Sequence, residues 1–218
     1  MTDSDASKDR PRSGWKQNPE AVKQDILQVA TEMFAASGLT GTRIDEIAAR
    51  TTTSKRMIYY YFGDKDGLWA RALEAAYARV REGEHRLDLD ALPPAEALAH
   101  LAGFTFDHHS RNPEFIRMVM IENIHHADYL KRSEVIRVLN TAAIDRLRRL
   151  VARGEAAGVF RAGLDPVALH WHISALSFFN VSNRPTFSAI YGQDLYGKEG
   201  QAALRRQVVE SVLACALA

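Results

Sequence analysis

Thr42-Arg-Ile-Asp-Glu-Ile-Ala-Ala-Arg50, Thr51-Thr-Thr-Ser54 and Lys55-Arg-Met-Ile-Tyr-Tyr-Tyr-Phe62-Gly-Asp-Lys65 follow one another near the start of the chain, and their reading decides the fold. They form two short helices about a tight turn. The first sets Ile44, Ile47 and Ala48 on one face, with Thr42 as a side-chain cap and Asp45 and Glu46 at the positive end of the helix dipole. The second opens on Ser54, a good N-cap, and buries Ile58 and Phe62 at i and i+4. That leaves Lys55, Arg56, Tyr59 and Tyr60 outward. Three consecutive tyrosines cannot all be buried on one helix, and phenols set among cations suit a helix lying in a major groove. There Lys55 and Arg56 reach guanine O6 and N7 or phosphates, and Tyr59 packs on a thymine methyl.

Outward from this pair the helical period continues, and no stretch combines strand-like alternation with hairpin turns, so the chain reads as all-α. Asn18-Pro19 caps a first helix whose stripe Val22, Ile26, Val29, Ala30 and Met33 runs until Gly38 stops it. Asp64 caps a long fourth helix through Leu68, Leu73, Ala76 and Val80, which links the two parts of the molecule. Pro93-Pro94 and Pro113 open the fifth and sixth, Ser133 the seventh, and Asp165-Pro166 the eighth; a ninth and last helix follows Gly200. The expected division is a flexible arm over 1–17, a three-helix DNA-binding domain over 18–65 with its motif at 43–62, and a helical effector-binding and dimerisation domain over 66–218.

At the quoted residues, and in Ile26-Leu-Gln-Val-Ala-Thr-Glu-Met-Phe34, Gly38, Asp64, Lys65 and Leu68, the chain resembles the TetR family of bacterial transcription regulators. The resemblance implies a helix-turn-helix domain ahead of a helical domain that binds a small molecule and pairs with a second copy. It implies phosphate contacts at Thr42, Arg43, Tyr60, Tyr61 and Lys65, and adds Thr53 and Ser54 to the DNA-facing set of Lys55, Arg56 and Tyr59. Most relatives are repressors, so operator release by an effector is the expected activity. The chain departs from the family at Thr51, Thr52 and Thr53, where small residues are usual. A positive φ at Thr52 would strain this β-branched residue by about 1 kcal/mol or more.

Composition sets limits on these readings. A 218-residue chain with 46% hydrophobic residues supports real cores, and a net charge of only +1 means that DNA affinity must come from locally clustered Lys and Arg. Lys8, Arg10, Arg12 and Lys16 in the arm are offset by Asp3, Asp5 and Asp9. One cysteine, Cys215, excludes an internal disulfide and fits a reducing cytoplasm. The polar N-terminus lacks a signal core and no stretch has the length of a membrane span, so a cytoplasmic protein is expected.

In the sixth helix Glu122 and Asn123 interrupt the run from Phe115 to Ile124. Buried polar groups need partners, supplied either by neighbouring helices or by a small ligand between the fourth and eighth helices. Phe104, His108, His126, Trp171, Phe178 and Phe179 are candidates for the same cavity or for ordinary core. Glu122 and His125 have the Glu-x-x-His spacing of di-iron centres, but the other motifs of such a site are missing, and adjacent histidines on a helix diverge by about 100°. No metal, cofactor or catalytic group is expected. The competing readings are an α-helical enzyme, metal-dependent or not, and a DNA-binding protein without a ligand. Val167, Trp171, Ser174, Phe178, Val208, Val212 and Cys215 recur at helical spacing, as a homodimer surface or as intrachain core.

Overall fold

A computed structural model describes residues 18–218. The expected arm lies outside the described residues. Ten α-helices follow in order: α1 (Pro19–Gly41), α2 (Ile44–Arg50), α3 (Lys55–Phe62), α4 (Lys65–His85), α5 (Pro94–Arg111), α6 (Pro113–Ile124), α7 (Glu134–Ala156), α8 (Pro166–Ser182), α9 (Arg184–Tyr191) and α10 (Lys198–Ala216). Short 3-10 turns occupy Leu130–Arg132 and Asp194–Tyr196. The extended pairing among the described residues is one isolated bridge, Phe160 to Leu217.

The caps explain where the helices begin. Asn18, Ser54, Asp64, Ser133 and Asp165 each accept a backbone N–H of the first turn, which satisfies one of the donors left orphaned there. At Gly38, φ is 70°, and one further turn carries α1 to Gly41. Toward the C-terminus the boundaries differ from those expected. Helix α9 was not foreseen, although Pro185 opens it and Gly192, at φ 86°, closes it. The last helix starts at Lys198, before Gly200. A Cβ on Gly200 would lie 2.2 Å from the Asp194 carbonyl oxygen, so this glycine permits a close approach and does not act as a stop.

One core joins Ile26 and Phe34 of α1, Ile44 and Ile47 of α2, Ile58 of α3, and Leu68, Trp69 and Leu73 of α4, and Met118 of α6 and Ile136 of α7 close it. A second joins Leu98 and Leu101 of α5, Leu147 and Leu150 of α7, Leu169 and Ile173 of α8, and Val212 of α10. Between them Ala76 and Val80 of α4 meet Phe115 and Ile116 of α6. Full burial of each large side chain contributes about 1.5–3 kcal/mol. Helix α4 therefore shares its apolar face between the first core and the α6 contact. Val208 and Val212 are intrachain core, whereas Val167 and Trp171 are exposed.

Candidate nucleic-acid interface

The short helix α3 is held to the body by one fully buried residue, Ile58, with Phe62 and Tyr61 half-buried behind it. Ser54 Oγ accepts from the Met57 amide at 3.4 Å, and Gly63, at φ 79°, ends the helix. Fixed at both ends, α3 presents Lys55, Arg56, Tyr59 and Tyr60 to solvent together, Tyr60 being 76% exposed. The turn before it is pinned to α1, because the Thr52 amide and hydroxyl both donate to Asp25 Oδ2, at 3.2 and 3.3 Å. Thr51 donates its hydroxyl to the Ala48 carbonyl at 3.2 Å. None of Thr51, Thr52 and Thr53 has positive φ, so the anticipated strain is absent and side-chain hydrogen bonds define the turn.

Helix α2 lies alongside. Its N-cap is Arg43, without a side-chain cap bond, in place of the expected Thr42. Thr42 is 1% exposed and its hydroxyl points inward to the carbonyls of Gly38 and Met33, at 2.8 and 3.1 Å. Its side chain is buried and fastens the α1–α2 corner. Arg43 is exposed. Lys65 Nζ donates to the Thr42 carbonyl at 3.3 Å and so braces the same corner from the start of α4. Tyr61 lies half-buried with Lys23 Nζ 5.6 Å from its ring centroid. Thr53 is half-buried, and Ser54 is exposed with its hydroxyl engaged as the cap. Gly67 allows α4 to start directly under α3, since a Cβ there would lie 2.2 Å from the Phe62 carbonyl oxygen.

Charge on this face is structured. Arg50 pairs with Glu32 of α1 at 2.7 Å, and Lys55 pairs with Asp45 of α2, Nζ to Oδ1 2.8 Å. The hydrogen bond from Lys55 holds the Asp45 carboxyl below its ordinary range and, reciprocally, raises the lysine. Arg43 and Arg56 have no carboxylate within ion-pair distance among the described residues.

The interior residues anticipated for a ligand do not converge on one cavity. Glu122 is 1% exposed and its two oxygens accept from Trp69 Nε1 at 2.9 Å and from the backbone amides of Tyr129 and Leu130 at 3.2 and 3.1 Å. It is satisfied within the chain. Its neighbour Asn123 is at the surface, as is His126, which has φ 59° in the turn after α6. Trp171 is 71% exposed and Phe179 is 50% exposed. The period of α8 turns both to its outer side when Ile173 and Ser177 face inward. Phe178 is half-buried and packs with Ala76, Val80 and Phe115.

Phe104 and His108 instead belong to a polar interior that the sequence reading missed. The ring of Phe104 lies 5.7 Å from His108, and Phe115 lies about equally close to His108 and His109, at 6.1 and 5.8 Å. Burial, reinforced by the positive charges of Arg79 and Arg81, lowers His108 to about 4; burial, with His108 and Arg81, lowers His109 to about 3. Both rings are neutral at neutral pH. Arg81 Nη1 donates to both oxygens of Glu84 at 2.6 and 2.7 Å and Nη2 to Asn140 Oδ1 at 2.6 Å. A void of about 20 Å³ lies beside Arg81, Glu84, Leu101 and His170. Both nitrogens of His108, Nδ1 of His109, Nε of Arg81 and Oγ of Ser177 are buried without a hydrogen-bond partner among the described residues. The signal in the sequence was an arginine and a glutamate at i and i+3, Arg81 and Glu84, next to the apolar positions of α4. Among the described residues no three His, Cys, Asp or Glu side chains gather as a metal site, and no helix is long and apolar enough to cross a membrane.

Comparison with known proteins agrees with this architecture. The family described as bacterial regulatory proteins, tetR family, matches residues 26–72, and the tetracyclin repressor-like C-terminal domain matches residues 94–212. The HTH-type transcriptional repressor NicS of Pseudomonas putida is 35% identical over 186 residues, covering 85% of this chain and 88% of that one. Among solved structures, the transcriptional regulator SCO4942 from Streptomyces coelicolor superposes with a TM-score of 0.69 at 26% identity, covering 89% of this chain and 98% of that one. FadR from Bacillus subtilis, solved in complex with stearoyl-CoA, gives 0.68 at 19% identity over 88% of this chain and 98% of that one, a likeness of fold alone.

Proposed function

The chain belongs to the TetR family of bacterial transcription regulators, and from that premise we propose that it is a homodimeric, cytoplasmic repressor that leaves its operator when a small molecule enters its interior. The domains divide at about residue 65, ahead of α4. Helix α3 enters the major groove, with Arg56 and Tyr59 on base edges and Arg43, Tyr60 and Lys65 along the phosphates. Tyr61 and Ser54 act by holding α3 in place. No catalytic role is assigned.

The observation that carries this reading is the joint exposure of Lys55, Arg56, Tyr59 and Tyr60 on a helix fixed by Ile58 and capped at both ends. A second copy is supported by Val167, Trp171 and Phe179, exposed at steps of four and eight along α8. Two copies on one duplex gain affinity because the second contact is intramolecular. We place the effector site around His108, His109 and Arg81, where buried polar atoms lack partners among the described residues; the void beside Arg81 is about 20 Å³, so an effector has to part the surrounding helices to enter.

The test is to select genomic fragments with the purified protein and then titrate one selected duplex at fixed salt. Arg56→Ala should bind it about fivefold to 150-fold more weakly, since loss of a good base contact costs about 1–3 kcal/mol. Undiminished affinity of that variant, with folding intact, would remove α3 from the DNA.

A further inference from the structure

Lys55 and Asp45 are ten residues apart, on different helices, yet the Lys55 ammonium is held by both carboxylate oxygens, at 2.8 Å to Oδ1 and 3.1 Å to Oδ2. Both side chains are about half exposed, 49% and 55%, so the pair stands on the surface that faces the duplex. An acid there is costly for a protein that binds a polyanion. Helix α2 does not need it for its dipole, because Glu46 supplies a second acid in the same first turn. Nor does the pair secure α3, which is already rooted by Ile58 and capped by Ser54. Of the three cations Arg43, Lys55 and Arg56, Lys55 alone is matched by a carboxylate among the described residues.

We infer that Asp45 is a specificity-determining residue: it occupies Lys55 on sequence-independent DNA and yields it where an operator base competes for the ammonium. The inference rests on the placement of α3 in the major groove. Its physical basis is a ranking of strengths. An exposed ion pair is weak, yet it suffices to withhold one cation from a mobile, equally exposed phosphate contact. Two acceptors on a guanine edge, held at fixed geometry, offer more than the carboxylate does. Non-specific affinity is thus lowered by about one phosphate contact per protomer, whereas operator affinity is lowered less.

The experiment compares wild type, Asp45→Asn, Lys55→Met and the double variant on two probes. One is a random-sequence duplex of about 30 base pairs, and the other is the duplex that the wild type selects from a randomised pool. Binding is read by fluorescence anisotropy across potassium chloride concentrations. Asp45→Asn should bind the random duplex about twofold to fivefold more tightly per protomer near 0.1 M salt, with a log–log salt slope steeper by about 0.9. Its affinity for the selected duplex should rise by a smaller factor, so the specificity ratio falls. In the Lys55→Met background the same substitution should add no slope. Equal tightening with and without Lys55 would show that the carboxylate only repels phosphates, and would overturn the inference. So would an unchanged random-duplex affinity. Arg56→Ala, run alongside, separates the two levels: if it binds as the wild type does, the placement of α3 fails; if it weakens while Asp45→Asn does nothing, only the role of Asp45 fails. Thermal melting checks that each variant is folded, and Asp45→Ser replaces Asp45→Asn if the latter melts early.

Discussion

Replacing Glu122 by alanine removes one acceptor group and strands three donors. The indole N–H of Trp69, donated at 2.9 Å, belongs to a residue only 1% exposed, so water cannot take over and the full penalty applies. The amides of Tyr129 and Leu130 belong to half-buried residues and recover part of their hydration. At about 1–3 kcal/mol for each unsatisfied buried donor, with the indole near the top of that range and the amides near the bottom, Glu122→Ala should destabilise the protein by about 5 kcal/mol. That is a large part of the roughly 5–15 kcal/mol available to a domain. Glutamine keeps one oxygen but turns an NH₂ toward either the indole or the two amides, so Glu122→Gln should cost about 1–2 kcal/mol. Urea unfolding followed by circular dichroism gives both numbers, and in a Trp15→Phe, Trp171→Phe background the emission of Trp69 reports the broken contact. If Glu122→Ala unfolds within about 0.5 kcal/mol of wild type, Glu122 is not the internal acceptor described above, and a ligand role for it returns.

Two other outcomes are expected. Lys65→Ala should weaken binding to the operator and to random duplex by similar factors and flatten the salt slope by about 0.9 per protomer, since an ammonium at a helix N-terminus contacts phosphate and not bases; altered base preference with an unchanged slope would contradict this. Stability should also depend on pH through the buried histidines. The folded values of His108 and His109, about 4 and about 3, lie below the unfolded value of 6.5, so the unfolded chain binds more protons between these limits and stability falls as pH drops below about 6.5. For His109, 7% exposed, the slope approaches at most about 1.4 kcal/mol per pH unit, and the more accessible His108 adds less. Urea midpoints at pH 7.5, 6.0 and 5.0 measure this, and an identical slope in a His109→Gln variant would refute the assignment.

What could be read from the sequence was whatever is local in the chain. Asn18, Ser54, Asp64 and Asp165 cap the helices that they were expected to cap, because each bond spans two or three residues. The outward set on α3 followed from a single helical period. What could not be read depends on partners distant in sequence. Thr42 looks like a cap by its position, but its hydroxyl turns back to the carbonyls of Gly38 and Met33, four and nine residues earlier. Glu122 looks like an orphan in an apolar run, and its partner Trp69 is 53 residues away. Trp171 and Phe179 are apolar on an apolar helix, and periodicity alone did not say which side of α8 meets α5 and which meets solvent.

The same distant contacts show where α4 is held. Near its start, the Tyr129 hydroxyl donates to Asp66 and the Trp69 indole to Glu122, two attachments within about one turn of each other. Farther along, Arg81 meets Glu84 and Asn140, with unpartnered His108 and His109 nearby. Twelve residues separate Trp69 from Arg81, about 18 Å at 1.5 Å per residue. On the proposed function, the first pair of attachments is the fulcrum of α4 and the proposed effector site lies on its long arm. A displacement of about 1 Å at Arg81 tilts a rigid helix by about 3° about that point, which Lys65 transmits to the α1–α2 corner through its bond to the Thr42 carbonyl. A ligand drives this tilt only if it binds one position of the arm better than the other. In the proposed mechanism the buried ring nitrogens of His108 and Nδ1 of His109, without partners among the described residues, supply that difference, being satisfied by an occupant in one position of the arm and not in the other.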